Sequence, residues 1–272
     1  MRLSVLVLAL LAAACKTGPE PKPAATPELS SQELTVVEQD VSDFSLRLDG
    51  QVTCADAATV EKAHYELVAD DKVLKSGDAA LNVAVAAGGT SSFSIADKAQ
   101  YAESAEALKA LGEKEGDMLV ALRGKLTVDV GGTKREMEFA KAKEVRTPRL
   151  PSVVMNEVDF GRYSGNEVGG TFYVGVKNPN PFTIHLVSLS YEASVNGKSL
   201  ADGELGKGEK VEPSSTGVFE VPVQVNQETY GPEVDKLIKT KALPYQVKGE
   251  LKGALFTLPY DLKGTVKLNE SK

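Results

Sequence analysis

The feature that most restricts what this chain can fold into is that it repeats itself. YELVADDKVLKSG, from Tyr65 to Gly77, aligns without a gap on YEASVNGKSLADG, from Tyr191 to Gly203. Tyr, Glu, Lys, Leu and Gly match at one spacing of 126 residues. At that spacing Phe93 meets Phe219, Leu108 meets Val234 and Leu111 meets Leu237, and RGKL from Arg123 meets KGEL from Lys248 at 125. A period of this length points to two like-built domains in series, each long enough to enclose its own core. The division falls at 32–147 for the first unit and 148–272 for the second.

Both units alternate apolar and polar residues, the mark of half-buried strands. Val187, Leu189, Tyr191, Ala193 and Val195 share one face, and Ala63, Tyr65, Leu67 and Ala69 repeat the pattern. Asn196-Gly197 supplies the positive φ angles of a tight hairpin, and Asp70-Asp71 stands in its place in the first unit. Phe219, Val221, Val223 and Val225 form a further apolar face, as do Phe256, Leu258, Tyr260 and Leu262. Pro222 and Pro259 fall on the opposite faces of those strands and mark edges or bulges. Each unit also has one short helical pattern. In the first, Ser104 serves as cap, Leu108 and Leu111 share a face, and Gly112 is the stop. In the second, Pro232 takes the first helical position and Val234, Leu237 and Ile238 share a face. Both segments have weak apolar faces and no basic face, so they pack on the strands rather than lie on a membrane.

The N-terminus is of another kind. MRLSVLVLALLAAAC places one Arg before an apolar run from Leu3 to Ala14, the layout of a secretory signal over 1–14. The run is shorter than the roughly 20 residues of a membrane span. Leu11-Ala12-Ala13-Ala14-Cys15 resembles the lipobox of bacterial lipoproteins, which implies acylation of Cys15 and attachment to a lipid bilayer. Ala12 and Ala14 also satisfy the A-x-A rule for release of a soluble periplasmic protein. Lys16 follows the cysteine where the inner-membrane retention signal has Asp, so the resemblance favours the outer membrane, on its periplasmic side. Residues 15–31 are rich in Pro and poor in apolar side chains, and read as a linker of roughly 50 Å at about 3.1 Å per residue.

Acylation of Cys15 leaves Cys54 as the single remaining thiol, so no intramolecular disulfide forms, and it reads as a small buried hydrophobe. Without residues 1–14 the net charge falls from −7 to −8, because Arg2 is lost. An acidic chain with no basic run is not a nucleic-acid binder.

KNPNPFTIHL, from Lys177 to Leu186, interrupts the strands of the second unit. Proline has no N–H to give a ladder, and asparagine side chains imitate backbone turns, so this knot ends one strand and redirects the chain. Asn178, Pro179, Asn180 and Pro181 are followed by Tyr191-Glu192, by Asn196-Gly197-Lys198 and by Gly203. In that order they resemble the late-embryogenesis-abundant type 2 family and its WHy domain, over about 151–268. The first unit is a degenerate match, with VTCA from Val52 to Ala55 where the knot stands in the second. The resemblance implies a mainly β chain of two tandem antiparallel sandwiches, similar to immunoglobulin or fibronectin III domains, each with one short α-helix. It also implies a noncatalytic role, protecting protein clients or the membrane surface against water stress. The alternative is an adaptor or structural module that presents edges or loops to one envelope protein, since a fold does not choose its function.

Reactive chemistry is poorly supplied. Gly197-Lys198-Ser199 resembles the tail of a phosphate loop, but Glu192 stands where that loop needs Gly. His64 and His185 lie in different units, neither with a second His or Cys at zinc spacing. His64 shares a polar face with Glu66, whereas the facing of His185 is open. Asp40, Asp43 and Asp49 do not follow a calcium-loop spacing, and G-x-S-x-G does not occur. The residues imply no cofactor, no metal and no catalytic set.

Overall fold

A computed structural model describes residues 24–114, 116–164, 167–233, 236 and 242–266. The expected signal, Cys15 and the helical positions Val234, Leu237 and Ile238 lie outside the described residues.

The chain is mainly β, in antiparallel sheets. In the N-terminal half, β1 (Glu28–Gln39), β2 (Asp43–Cys54) and β5 (Gly89–Gln100) form a sheet in the order β1-β2-β5. β3 (Ala58–Ala69), β4 (Lys72–Val85), β6 (Asp117–Val130) and β7 (Thr133–Arg146) form a second, ordered β4-β3-β6-β7. Helix α1 (Ala105–Gly112) connects β5 to β6.

In the C-terminal half, β8 (Ser152–Ser164), β9 (Glu167–Lys177) and β14 (Thr216–Val225) are ordered β14-β9-β8. β11 (Ser188–Val195), β12 (Lys198–Leu205), β15 (Leu243–Lys252) and β16 (Thr257–Val266) are ordered β12-β11-β15-β16. The short β10 (Ile184–His185) and β13 (Lys210–Val211) pair with each other. Set that pair aside, and the second half has the same strand order as the first.

The alternation explains the sheets. In β2, Phe44, Leu46, Leu48, Val52 and Cys54 are buried while Arg47 and Gln51 between them are exposed. β14 does the same with Phe219, Val221, Val223 and Val225 inward and Pro222 outward. Burial of such side chains contributes about 25 cal/mol per Å² of apolar surface removed from water. Inward residues of three-stranded and four-stranded sheets join in shared apolar packing.

Both hairpins form as the residues require. Asp70 and Asp71 have φ of 44° and 66°, and Asn196 and Gly197 have 49° and 77°. Pro222 and Pro259 lie on β14 and β16, each an edge strand of its sheet. The ladders of β1 and β8, also at edges, are broken by bulges.

Two expectations need adjustment. β1 begins at Glu28, inside the segment read as linker, and Ala25 N–H donates to Asp56 at 3.0 Å, so the fold starts earlier than residue 32. Val187 is 51% exposed and precedes β11, and Ser188 takes the buried position instead. α2 spans Gln227–Tyr230 with Asn226 as cap, and Pro232 sits in the following 3₁₀ turn; of the helical positions expected after it, Lys236 alone is described, and it is helical. Asn226 offers an acceptor to Thr229 N–H at 3.0 Å. Gly112 ends α1 as expected, outside the left-handed region, and its lack of a side chain lets Pro148 O pass 3.1 Å from where a Cβ would be.

Candidate functional site

The Asn-Pro-Asn-Pro segment begins where β9 ends. Asn178 N–H donates to Ser215 O at 2.8 Å, closing the ladder to β14. Pro179 and Pro181 carry no N–H, so Asn180 has the one amide hydrogen between them, and it donates to Asn178 Oδ1 at 2.9 Å. Both asparagine side chains turn inward, at 1% and 0% exposure.

A buried amide costs stability unless its donors and acceptor are all paired. Asn178 Nδ2 donates toward the carbonyls of Phe182 at 2.8 Å and of Val211 and Glu212 at 3.1 Å. Asn178 Oδ1 also accepts from Asn180 Nδ2 at 3.0 Å. The second hydrogen of Asn180 Nδ2 goes to Arg149 O at 2.8 Å, and Asn180 Oδ1 accepts from Arg149 N–H at 2.8 Å. Every amide atom of the pair is engaged within the protein, so the knot works as a fastening that joins β9, the β13 turn and the segment between the halves.

Tyr191 and Gly203 of the repeated motif are directly opposed across β11 and β12. The ring lies over the glycine: a Cβ at Gly203 would stand 3.0 Å from the Tyr191 hydroxyl oxygen. Tyr65 and Gly77 reproduce this on β3 and β4, with the corresponding distance 2.6 Å. Thus the Tyr and Gly that recur in the two halves are one packing unit, split by a hairpin.

Tyr65 makes a further contact that its counterpart does not share. Its hydroxyl donates to Asp97 at 2.8 Å, and Lys75 Nζ donates to the other oxygen of that carboxylate at 2.6 Å. Burial, then the bond to Asp97, pushes the Tyr65 hydroxyl up to about 12. For Asp97 burial acts upward, but hydrogen bonds from Lys75, Tyr65 and the Lys98 amide outweigh it and hold the carboxyl below its ordinary range.

The remaining candidates do not converge. His64 is exposed and meets Asp78 at 3.0 Å. His185 Nδ1 lies 2.7 Å from Asp40 Oδ2, joining the two halves. Asp43 pairs with Lys98 at 2.8 Å and Asp49 with Arg47 at 2.9 Å. Among the described residues no group of three or more His, Cys, Asp or Glu is placed to hold a metal. Cys54 is a free thiol at 1% exposure. A trough of about 730 Å³ crosses β1, β2 and β5, with Glu33 opposite Asp49 on its wall and Ser92 and Ser94 beside them. No helix among the described residues is long and apolar enough to cross a membrane. Sequence reading missed the Asn180 clamp on Arg149, the Asp40–His185 contact and the Tyr65–Asp97–Lys75 group. Each depends on residues brought together from 22 to 145 positions apart, with no local pattern to announce them.

The arrangement defines a β protein organised around a buried asparagine fastening. Residues 173–270 match the family model described as LEA_2, Late embryogenesis abundant protein. The matched stretch contains the knot, Tyr191, Asn196-Gly197 and Gly203. A Desiccation protectant protein Lea14 homolog of Glycine max is 27% identical over 132 residues, which is 47% of this chain and 87% of that protein. Among solved structures, a protein from Archaeoglobus fulgidus is 16% identical, with 45% of this chain and 100% of that chain covered and a TM-score of 0.35. A GH2 β-galacturonidase from Eisenbergiella tayi is 9% identical, covers 90% of this chain and 43% of its own, and has a TM-score of 0.26. Scores this low carry no argument about fold or chemistry.

Proposed function

We propose that this is a noncatalytic member of the late-embryogenesis-abundant type 2 family that protects proteins or a membrane surface as water is withdrawn. The observation that carries the reading is the family match over residues 173–270, supported by likeness to a protein described as a desiccation protectant. The residues of the matched stretch are spent on structure: the asparagine amides, the Tyr191 ring over Gly203 and the Asn196-Gly197 turn all serve the fold. What is left to act is the surface.

The two halves are, in this reading, tandem copies of one sandwich of the fibronectin III kind. Support comes from the repeated strand order and from the Tyr-over-Gly pair in both. The chain is held to the periplasmic face of the outer membrane by acylation of Cys15. Two or three acyl chains, at about 0.8 kcal/mol per buried methylene, make such attachment effectively permanent.

Protein carrying Cys15→Ser is expected to suppress aggregation of a dried or heated client enzyme at modest molar excess. Protection no greater than that of albumin at equal mass refutes the role. Intact-mass measurement of protein recovered from membranes is expected to show diacylglyceryl and amide-linked acyl groups on Cys15; an unmodified terminus refutes the anchor alone.

A further inference from the structure

The segment between the halves, residues 147–151, has the length of a hinge but not its surroundings. Domain linkers are ordinarily exposed, with their backbone groups given to water. Here Thr147, Pro148 and Pro151 are buried. Thr147 N–H donates to Gly116 O at 3.1 Å, and Gln39 Nε2 donates to Arg146 O at 2.9 Å, so the segment leaves the N-terminal half already tied down. On one side Gly112, the end of α1, stands so close that an added Cβ would lie 3.1 Å from Pro148 O and 3.5 Å from Arg149 Cα. On the other side the Asn180 amide takes both backbone groups of Arg149, each at 2.8 Å, as a neighbouring strand would. The Asp40–His185 contact at 2.7 Å bridges the halves directly, and Asp40 is itself set by accepting from Val41 N–H at 2.6 Å.

We infer that Asn180, with the Gly112 contact and the Asp40–His185 pair, is an interlock that fixes the two halves as one rigid body. The two asparagines of the motif then have separate duties. Asn178 fastens the C-terminal half to itself, through Phe182, Val211 and Glu212, whereas Asn180 reaches out of that half to hold the connecting segment. Bending at the joint would strip Asn180 Oδ1 and one of its N–H hydrogens of partners while both remain buried, and the closed geometry is favoured for that reason. The Asp40–His185 pair, with His185 41% exposed, adds orientation and little energy. A partner that touches both halves therefore meets them at one fixed angle, without first having to arrest a hinge.

The test is a distance distribution from paired spin labels at Thr90→Cys and Thr257→Cys, exposed positions in the two halves, in the chain from residue 15 onward with Cys15→Ala and Cys54→Ala. One narrow distribution is expected. Adding Asn180→Ala and Asp40→Asn together should at least double its width. Should that pair fail to fold by circular dichroism, Gly112→Val decides, because it wedges the connecting segment away from α1 and changes no residue of the knot. A broad distribution before any of these changes overturns the inference. So does an unchanged width in a folded variant.

Discussion

Replacing Asn178 by Asp changes one group and leaves the shape of the side chain intact. The amide nitrogen that donates toward Phe182 O, Val211 O and Glu212 O at 2.8 to 3.1 Å becomes a carboxylate oxygen with nothing to donate. At 1% exposure there is no water to absorb the charge, and the oxygen faces three carbonyls of like polarity. Two hydrogen bonds from Asn180 to the other oxygen survive and offset part of this. Each stranded buried acceptor costs about 1–3 kcal/mol, and a carboxyl held neutral by its site shows about 1.4 kcal/mol of instability per unit of elevated pKa at neutral pH. A net loss of about 3–4 kcal/mol at pH 7 follows, against the roughly 5–15 kcal/mol that a domain has in total. The sign of the pH dependence is fixed by the direction of the shift. With the folded pKa above the unfolded value of about 3.9, the loss is small at and below pH 4, where the carboxyl is protonated and its hydrogen serves one carbonyl. It grows as pH rises, and levels off once the folded pKa is passed. Urea titrations of variant and parent at pH 4 and pH 7 measure the difference. Equal stability at pH 7, or a deficit of the same size at both pH values, refutes the account of the knot as a sealed amide network.

Two further changes probe the frame. Gly124→Ala and Gly249→Ala would each place a Cβ 2.0 Å from a backbone oxygen of the adjacent strand, His64 O and Ser190 O, and are expected to cost about 3 kcal/mol in urea melts. Gly77→Ala presses on the hydroxyl and Cζ of the buried Tyr65 ring, at 2.6 and 2.7 Å, and pushes it off its bond to Asp97, so it should cost about 2 kcal/mol. Asp97 has its carboxyl depressed on folding, so its contribution is present above pH of about 3.9 and is lost as pH falls through its lower folded value. Asp97→Asn should remove that acid-side loss while leaving the difference from the parent constant between pH 6 and 8, as read from thermal melts across pH.

The strands were readable because burial on one face imposes a period of two, as at β3 and β14. Hairpins were readable for a different reason: few residues besides Asn, Asp and Gly tolerate positive φ at both turn positions. Val187 misled because a single valine next to a strand continues the alternation in text while the backbone has not yet entered the sheet. The turn of helix at Gln227–Tyr230, capped by Asn226, is too short to show a periodic pattern in the sequence. The asparagine knot could be recognised as a turn, but its second duty could not. Whether Asn180 meets its own half or Arg149 depends on where the segment after β7 passes, which no local pattern records.

The treatment of the sheet borders has a bearing on crowding. An open strand edge offers unpaired N–H and C=O groups to any extended neighbour, and the tendency to zip together rises steeply as molecules are concentrated. In this chain β14 and β16 carry Pro222 and Pro259 along their borders, and the ladders of β1 and β8 are bulged. Such borders make poor templates for a second chain. In a compartment losing its water, where every solute is driven toward its neighbours, those four borders would be slow to zip onto a second chain.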